Sequence, residues 1–144
     1  MSEKLYAIKF SAPLMPPSVN SLYNVFRYGQ KIEVKLKPEV LFFKSKLKSY
    51  VPAWTFQHSG EIIYFSMKLH DPDYFFKNGK VRKKDLPNMV KAAIDAVCEK
   101  IGVDDSYVKD FRLSHVFSQR ANMECEVGII KEGGLYELGQ QVSI

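Results

Sequence analysis

The sequence predicts an α+β fold: one domain in the order β-α-β-α-β-β, with helices packed against a single mixed sheet. Three observations lead there. Two stretches, about 38–50 and 87–100, place apolar residues at helical spacing. Two others, 111–117 and 123–129, alternate apolar with polar residues as strands do. No repeat or low-complexity linker divides the 144 residues, 46% of them hydrophobic, so a single domain spanning 1–144 can bury a core of its own.

The elements follow in order. Leu5 to Ser11 reads as a first strand, with Leu5, Ala7, Ile8 and Phe10 apolar. Pro13, Pro16 and Pro17 then hold the chain extended. Pro38 suits the first turn of a helix that runs to about Tyr50, where Val40, Phe43, Leu47 and Tyr50 share one face and Lys44 and Lys48 another. Pro52 ends it, and Trp54 beyond it is expected to pack. From Glu61 to His70, Ile62, Ile63, Tyr64 and Phe65 mark a strand. Residues 71–84 read as a basic loop or hairpin, with Asn78-Gly79 as its turn.

The best-defined helix runs from about Pro87 to Lys100. Asp85 is placed to cap it, Pro87 occupies its first turn and Gly102 follows its end. Phe111, Leu113, His115 and Phe117 alternate on the next strand, and Met123, Cys125, Val127 and Ile129 on the last. The link Gln119-Arg120-Ala121-Asn122 is expected to join them as a hairpin. The tail, about 132–144, shows little periodicity and is expected to be loose.

Charge narrows the function classes. The formal net charge is +5 and the pI about 9.1. One basic stretch holds Arg27, Lys31, Lys35, Lys37, Lys44, Lys46 and Lys48; another holds Lys77, Lys80, Arg82, Lys83 and Lys84. Either a polyanionic partner or a plain solvated surface fits that pattern. Cys98 and Cys125 form no metal-ligand spacing, and two cysteines make no disulfide framework, so a reduced, cytoplasmic setting is expected. No leader pattern is seen, and no window approaches the roughly 18 apolar residues of a membrane span.

The candidate chemistry lies in DLPNMVKAAIDAVCEKIGVDDSYV, from Asp85 to Val108. Met89, Val90, Ala93, Ile94, Val97 and Ile101 make one apolar stripe, and Asn88, Lys91, Asp95 and Glu99 lie opposite. Two readings stay open on spacing alone. In one, Lys91 and Asp95 are an ordinary i,i+4 pair, while Asp85 and Asp104-Asp105 are caps. In the other, the acids form a cluster for metal-assisted phosphodiester cleavage beside a basic surface. A straight helix keeps Asp85 and Asp105 roughly 20 Å apart, so convergence requires the chain to double back after Gly102.

Three blocks in order resemble the RusA family of Holliday junction resolvases, small endonucleases often carried by phages and prophages. Pro16-Pro17-Ser18-Val19-Asn20 with Tyr23 is similar to that family's PPS-x-N-x-x-Y. Asp85-Leu86-Pro87-Asn88 with Lys91 and Asp95 is similar to D-x-D-N-x-x-K-x-x-x-D, and Asp104-Asp105-Ser106-Tyr107-Val108 to DD-x-x-V. The resemblance implies a homodimer that cuts four-way junctions and other branched DNA with Mg²⁺ or Mn²⁺. It implies Asp85, Lys91 and Asp105 as catalytic residues, with Asp85, Asp104 and Asp105 as metal ligands. Asn20, Tyr23, Asn88 and the basic residues Lys77, Lys80, Arg82, Lys83 and Lys84 would then contact DNA, with Asp95 supporting the site.

One position departs from the pattern. Where the family carries its second acid, this chain has Pro87. That departure motivates an alternative, a RusA-like module that binds branched DNA without cutting it. A basic nucleic-acid binder unrelated to the family is the third reading. Tyr74-Phe75-Phe76, inside the basic stretch, would either stack on unpaired bases or pack under the loop.

Overall fold

The structure, a computed structural model, describes residues 4–53 and 58–130; Trp54 and the 132–144 tail lie outside the described residues. In chain order the elements are β1 (Lys4–Ala12), β2 (Tyr23–Tyr28), β3 (Lys31–Leu36), α1 (Pro38–Lys48), β4 (Ile62–Asp71), α2 (Leu86–Ile101), a single 3₁₀ turn (Asp105–Tyr107), β5 (Val108–Phe117) and β6 (Asn122–Ile130). β1, β6, β4 and β5 form one mixed sheet in that spatial order, in which β4 and β5 are parallel and the other neighbours antiparallel.

Period-two burial fixes which face carries the core. Ile63, Phe65, Met67 and Leu69 of β4 pair across the sheet with Ile129, Val127, Cys125 and Met123 of β6, and all are buried. Val40, Phe43 and Leu47 of α1 and Met89, Ala92, Ala93, Ala96 and Val97 of α2 complete the same cluster. Both helices therefore cover one face. The fold class is α+β, as the patterning predicts. α1 ends at Lys48, slightly before the expected Tyr50, where the Ser49 N–H and hydroxyl both turn back to the Lys46 carbonyl.

Two expectations need correction. The predicted order lacks β2 and β3, which form a separate two-stranded sheet. Gly29 opens the turn between them with φ of 61°, the left-handed geometry that a two-residue hairpin of type II′ requires at its first position. The second correction concerns β5 and β6, which are not a hairpin: β4 lies between them. β5 reaches the sheet through the β4–α2–β5 crossover, and a parallel pair demands a connection of this length. The chain then passes the end of β4, where the Ser118 N–H donates to the Asp71 carbonyl at 3.3 Å, and enters the other side as β6. Composition agrees with these places. β6 is buried from Val127 to Ile130, whereas β5 carries exposed Lys109, Asp110 and Arg112 at the sheet edge.

The 71–84 stretch is a hairpin. Phe75 bridges Val81, Arg82 N–H donates to the Tyr74 carbonyl at 2.8 Å, and Gly79 takes φ of 84° in the predicted Asn78-Gly79 turn. Its rings mostly pack. Tyr74 meets Phe75 and His115 at centroid distances of 4.9 Å, Phe75 meets Phe117 at 5.5 Å, and the Arg82 guanidinium lies 4.5 Å from the Phe76 ring.

Candidate active site

The start of α2 is tied to the proline-rich segment by one side chain. Asp85 caps the helix, accepting from the Asn88 N–H at 3.2 Å. The Asn88 amide shares its two hydrogens among three acceptors: Asp85 Oδ2 at 3.1 Å and the carbonyls of Val19 and Asn20, each at 3.0 Å. The first and second sequence blocks are therefore neighbours in space. Asn20 contributes its carbonyl to this junction, and Tyr23 follows at the exposed start of β2.

The far end of α2 brings the third block back. Gly102 takes φ of 76°, and the N–H groups of Gly102 and Val103 both donate to the Cys98 carbonyl, at 2.9 and 3.0 Å. This αL termination reverses the chain. Val103 is buried, and Asp104 caps the 3₁₀ turn by accepting from the Ser106 N–H at 2.9 Å. That hydrogen bond holds the Asp104 carboxyl below its ordinary value. Asp105 then stands beside Asp95, in the middle of the helix.

A groove of about 280 Å³ results, lined by Pro87, Val90, Lys91, Ile94 and Asp95 of α2 and by Asp105, Val108 and Phe111. The Asp95 pKa is raised, first by burial and then by a hydrogen bond with Asp105, against the opposing charges of Lys91 and Lys44. A carboxyl pair of this kind holds a proton or a cation more readily than either acid alone. Lys44 is itself buried against Glu99 at 2.6 Å, and Lys48 meets the same carboxylate at 2.6 Å. Burial pushes Glu99 up, but these two ammonium groups outweigh it and leave its pKa lowered. Burial and the surrounding acids, Asp105 foremost, push the Cys98 thiol up to about 12, so it is an inert core group.

The sequence-predicted residues thus divide. Lys91 and Asp105 share the groove, and Asp95, expected only to support the site, is the acid that meets Asp105. Asp85 does not line it: its carboxylate is taken up by the Asn88 N–H and side-chain amide at the start of α2. Pro87 does line it. Among the described residues, no three His, Cys, Asp or Glu side chains gather closely enough to form a ready-made metal cage. Two adjacent carboxylates still suit Mg²⁺, which often takes one or two protein ligands and fills its octahedron with water and phosphate.

The basic residues also divide. Lys77, Lys80 and Lys83 are exposed within the 71–84 stretch. Lys84 instead turns inward to Asp71 at 2.7 Å, and Arg82 pairs with Asp73 at 3.1 Å. Sequence reasoning missed this clasp, in which buried Asp71 also accepts from His115 at 2.9 Å. No known protein-family model matches the chain, and no curated protein does. Among the described residues, no helix is long and apolar enough to cross a membrane.

Proposed function

We propose that this protein is a metal-dependent endonuclease that cuts branched DNA in the groove between α2 and β5. The observation that carries the reading is the Asp95–Asp105 carboxyl pair beside Lys91 in an open groove. The ordered resemblance to RusA resolvases supports it, because the matching blocks are neighbours in the fold: Asn88 joins the first to the second, and Asp95 joins the second to the third.

Asp95 and Asp105 would hold Mg²⁺ or Mn²⁺, which when bound supplies charge neutralisation and an activated water for phosphodiester hydrolysis. Lys91 would place its ammonium against the scissile phosphate and offset the negative charge that grows there in the transition state. The apolar wall of Val90, Ile94, Val108 and Phe111 would limit water around these charges and strengthen them. Asp85 would act through Asn88, fixing the start of α2 against the 16–20 segment. Resolution of a four-way junction calls for two such grooves, hence a two-fold homodimer.

A labelled four-way junction, incubated with the protein with and without Mg²⁺, tests the reading. Symmetric paired nicks that require the metal are expected, with little cutting of linear duplex. Binding with no nicks under Mg²⁺ or Mn²⁺ would defeat it. Pro87 favours a second reading, since it lines the groove where an additional acid would stand. A module that binds junctions without cutting them would gain metal-dependent cutting on Pro87→Asp.

A further inference from the structure

The β2–β3 hairpin contributes no residue to the lining of the groove. It is hydrogen-bonded to neither edge of the main sheet. Its base is fixed by buried Leu22, whose carbonyl accepts from the Lys37 N–H at 2.9 Å, and by Leu36 packed on the core. Beyond that base the ribbon projects.

Antiparallel pairing sorts its side chains into two faces. Val25 opposite Val34 and Arg27 opposite Ile32 make one, on which Val25, Ile32 and Val34 are 67, 56 and 59% exposed. Phe26 opposite Glu33, Tyr28 opposite Lys31 and Asn24 opposite Lys35 make the other. There the rings of Phe26 and Tyr28, 39 and 58% exposed, follow one strand while Lys31 and Lys35 follow its neighbour. Lys35 lies 5.9 Å from the Phe26 centroid, and Glu33 sits between the two lysines at 3.8 and 3.5 Å.

An isolated two-stranded ribbon is marginal in water, so one this apolar and exposed calls for a partner. A second copy fits poorly. Six-residue strands give a face of about 20 by 10 Å, near 200 Å², against the roughly 800 Å² per partner of a stable interface. Charge points elsewhere, because Arg27, Lys31 and Lys35 outnumber Glu33. Rings along one strand and cations along the next match a nucleic-acid strand, with bases stacked on one row and phosphates following the other. Lys31 and Lys35 are about 13 Å apart along β3, so the two cations can meet separate phosphates of one strand.

We propose that the β2–β3 hairpin is a nucleic-acid arm that grips a splayed, unpaired strand through Phe26, Tyr28, Lys31 and Lys35, while Arg27 adds its charge from the opposite face. The apolar face of Val25, Ile32 and Val34 abuts the bases laid bare where the strands part. The arm rests on the branched-DNA reading and deepens it, because it supplies the preference for branch points over duplex.

The test uses the full chain in EDTA, so that no cutting intervenes, with fluorescent four-way junction and single-stranded oligonucleotide followed by anisotropy across a salt series. Arg27→Gln/Lys31→Gln/Lys35→Gln should weaken binding at least tenfold and flatten the log–log salt slope by about 2 to 3. Phe26→Ser/Tyr28→Ser should cost roughly fivefold or more on the single strand, with the slope unchanged. Lys9→Gln/Lys68→Gln/Arg112→Gln, which removes equal charge from elsewhere on the surface, should leave affinity within about twofold.

Wild-type affinity in both arm variants would overturn the proposal. Equal losses in the charge control would overturn it too. So would a loss of binding that merely follows a change of oligomeric state in sedimentation. Adding Mg²⁺ afterwards separates the two claims. Arm-dependent binding without cutting keeps the arm and defeats the nuclease, whereas cutting with arm-independent binding does the reverse.

Discussion

Replacing Asp71 with Asn should loosen the clasp that holds the 71–84 hairpin on the end of the sheet. Asp71 Oδ2 accepts from Lys84 at 2.7 Å and from His115 at 2.9 Å, while Oδ1 accepts from the Asp73 N–H at 2.8 Å. The three side chains are only 2, 12 and 13% exposed for Asp71, Lys84 and His115. An amide in place of the carboxylate turns an NH₂ group toward one of these donors in either orientation, and it leaves Lys84 short of a counter-charge. Breaking a buried pair costs about 3–5 kcal/mol. Lys84 retains Asp73 at 3.5 Å, on a carboxylate 61% exposed, which discounts the loss to about 2 kcal/mol. At about 2–4 °C per kcal/mol for a domain of this size, Tm should fall by about 4–8 °C at pH 7.

The pH dependence has a definite sign. Burial alone would raise the Asp71 pKa, but hydrogen bonds from Lys84, His115 and the Asp73 N–H outweigh it and hold the group below its ordinary value. A carboxyl depressed on folding contributes fully above its unfolded pKa of about 3.9 and loses that contribution as pH falls toward the folded value. Lys84, His115, Asp73 and Arg82 are the charged or titratable groups around it. The gap between the two melting curves, followed by circular dichroism, should therefore close below about pH 4. A gap under about 1 °C at pH 7, or one that widens on acidification, would refute the reasoning.

Two other substitutions probe the groove and its support. Asp105→Asn removes a like charge from beside Asp95, so it should leave stability unchanged or raise it by about 0.5 kcal/mol while abolishing cutting; a loss of several degrees in Tm would mark the acid as a structural group instead. Asn88→Ala should cost about 1–2 kcal/mol and speed amide exchange across residues 18–21, with the middle of α2 unaffected. Unchanged exchange there would show that Asn88 does not tie the 16–20 segment down.

What the sequence made legible follows from how local each signal is. α2 was readable end to end, because a capping Asp85, Pro87 in the first turn and αL Gly102 act within a turn of themselves. The Asn78-Gly79 turn was readable for the same reason. The β2–β3 ribbon was not, since neither face is buried and Val25-Phe26 blurs the alternation; Gly29 between two alternating runs was the signal available. The β5–β6 link looked like a hairpin locally, but a parallel β4–β5 pairing decided where each strand went.

The candidate site was half legible for a related reason. Lys91 and Asp95 share a helical face by arithmetic, whereas the partner of Asp105 depends on how Gly102 and buried Val103 turn the chain back. That turn brings Asp105 to Asp95 rather than to Asp85, which remains the cap. The Asp71 clasp joins β4, β5 and the segment leading to α2, and no spacing in the sequence announces it.

The most direct measurement of the central claim is a cleavage time course on a labelled four-way junction in Mg²⁺, comparing wild type with Asp95→Asn, Asp105→Asn and Lys91→Ala. All three variants should lose about a hundredfold or more in rate while binding the junction as wild type does. Wild-type cutting by Asp95→Asn and Asp105→Asn would contradict the account, because the carboxyl pair would then have no part in the chemistry.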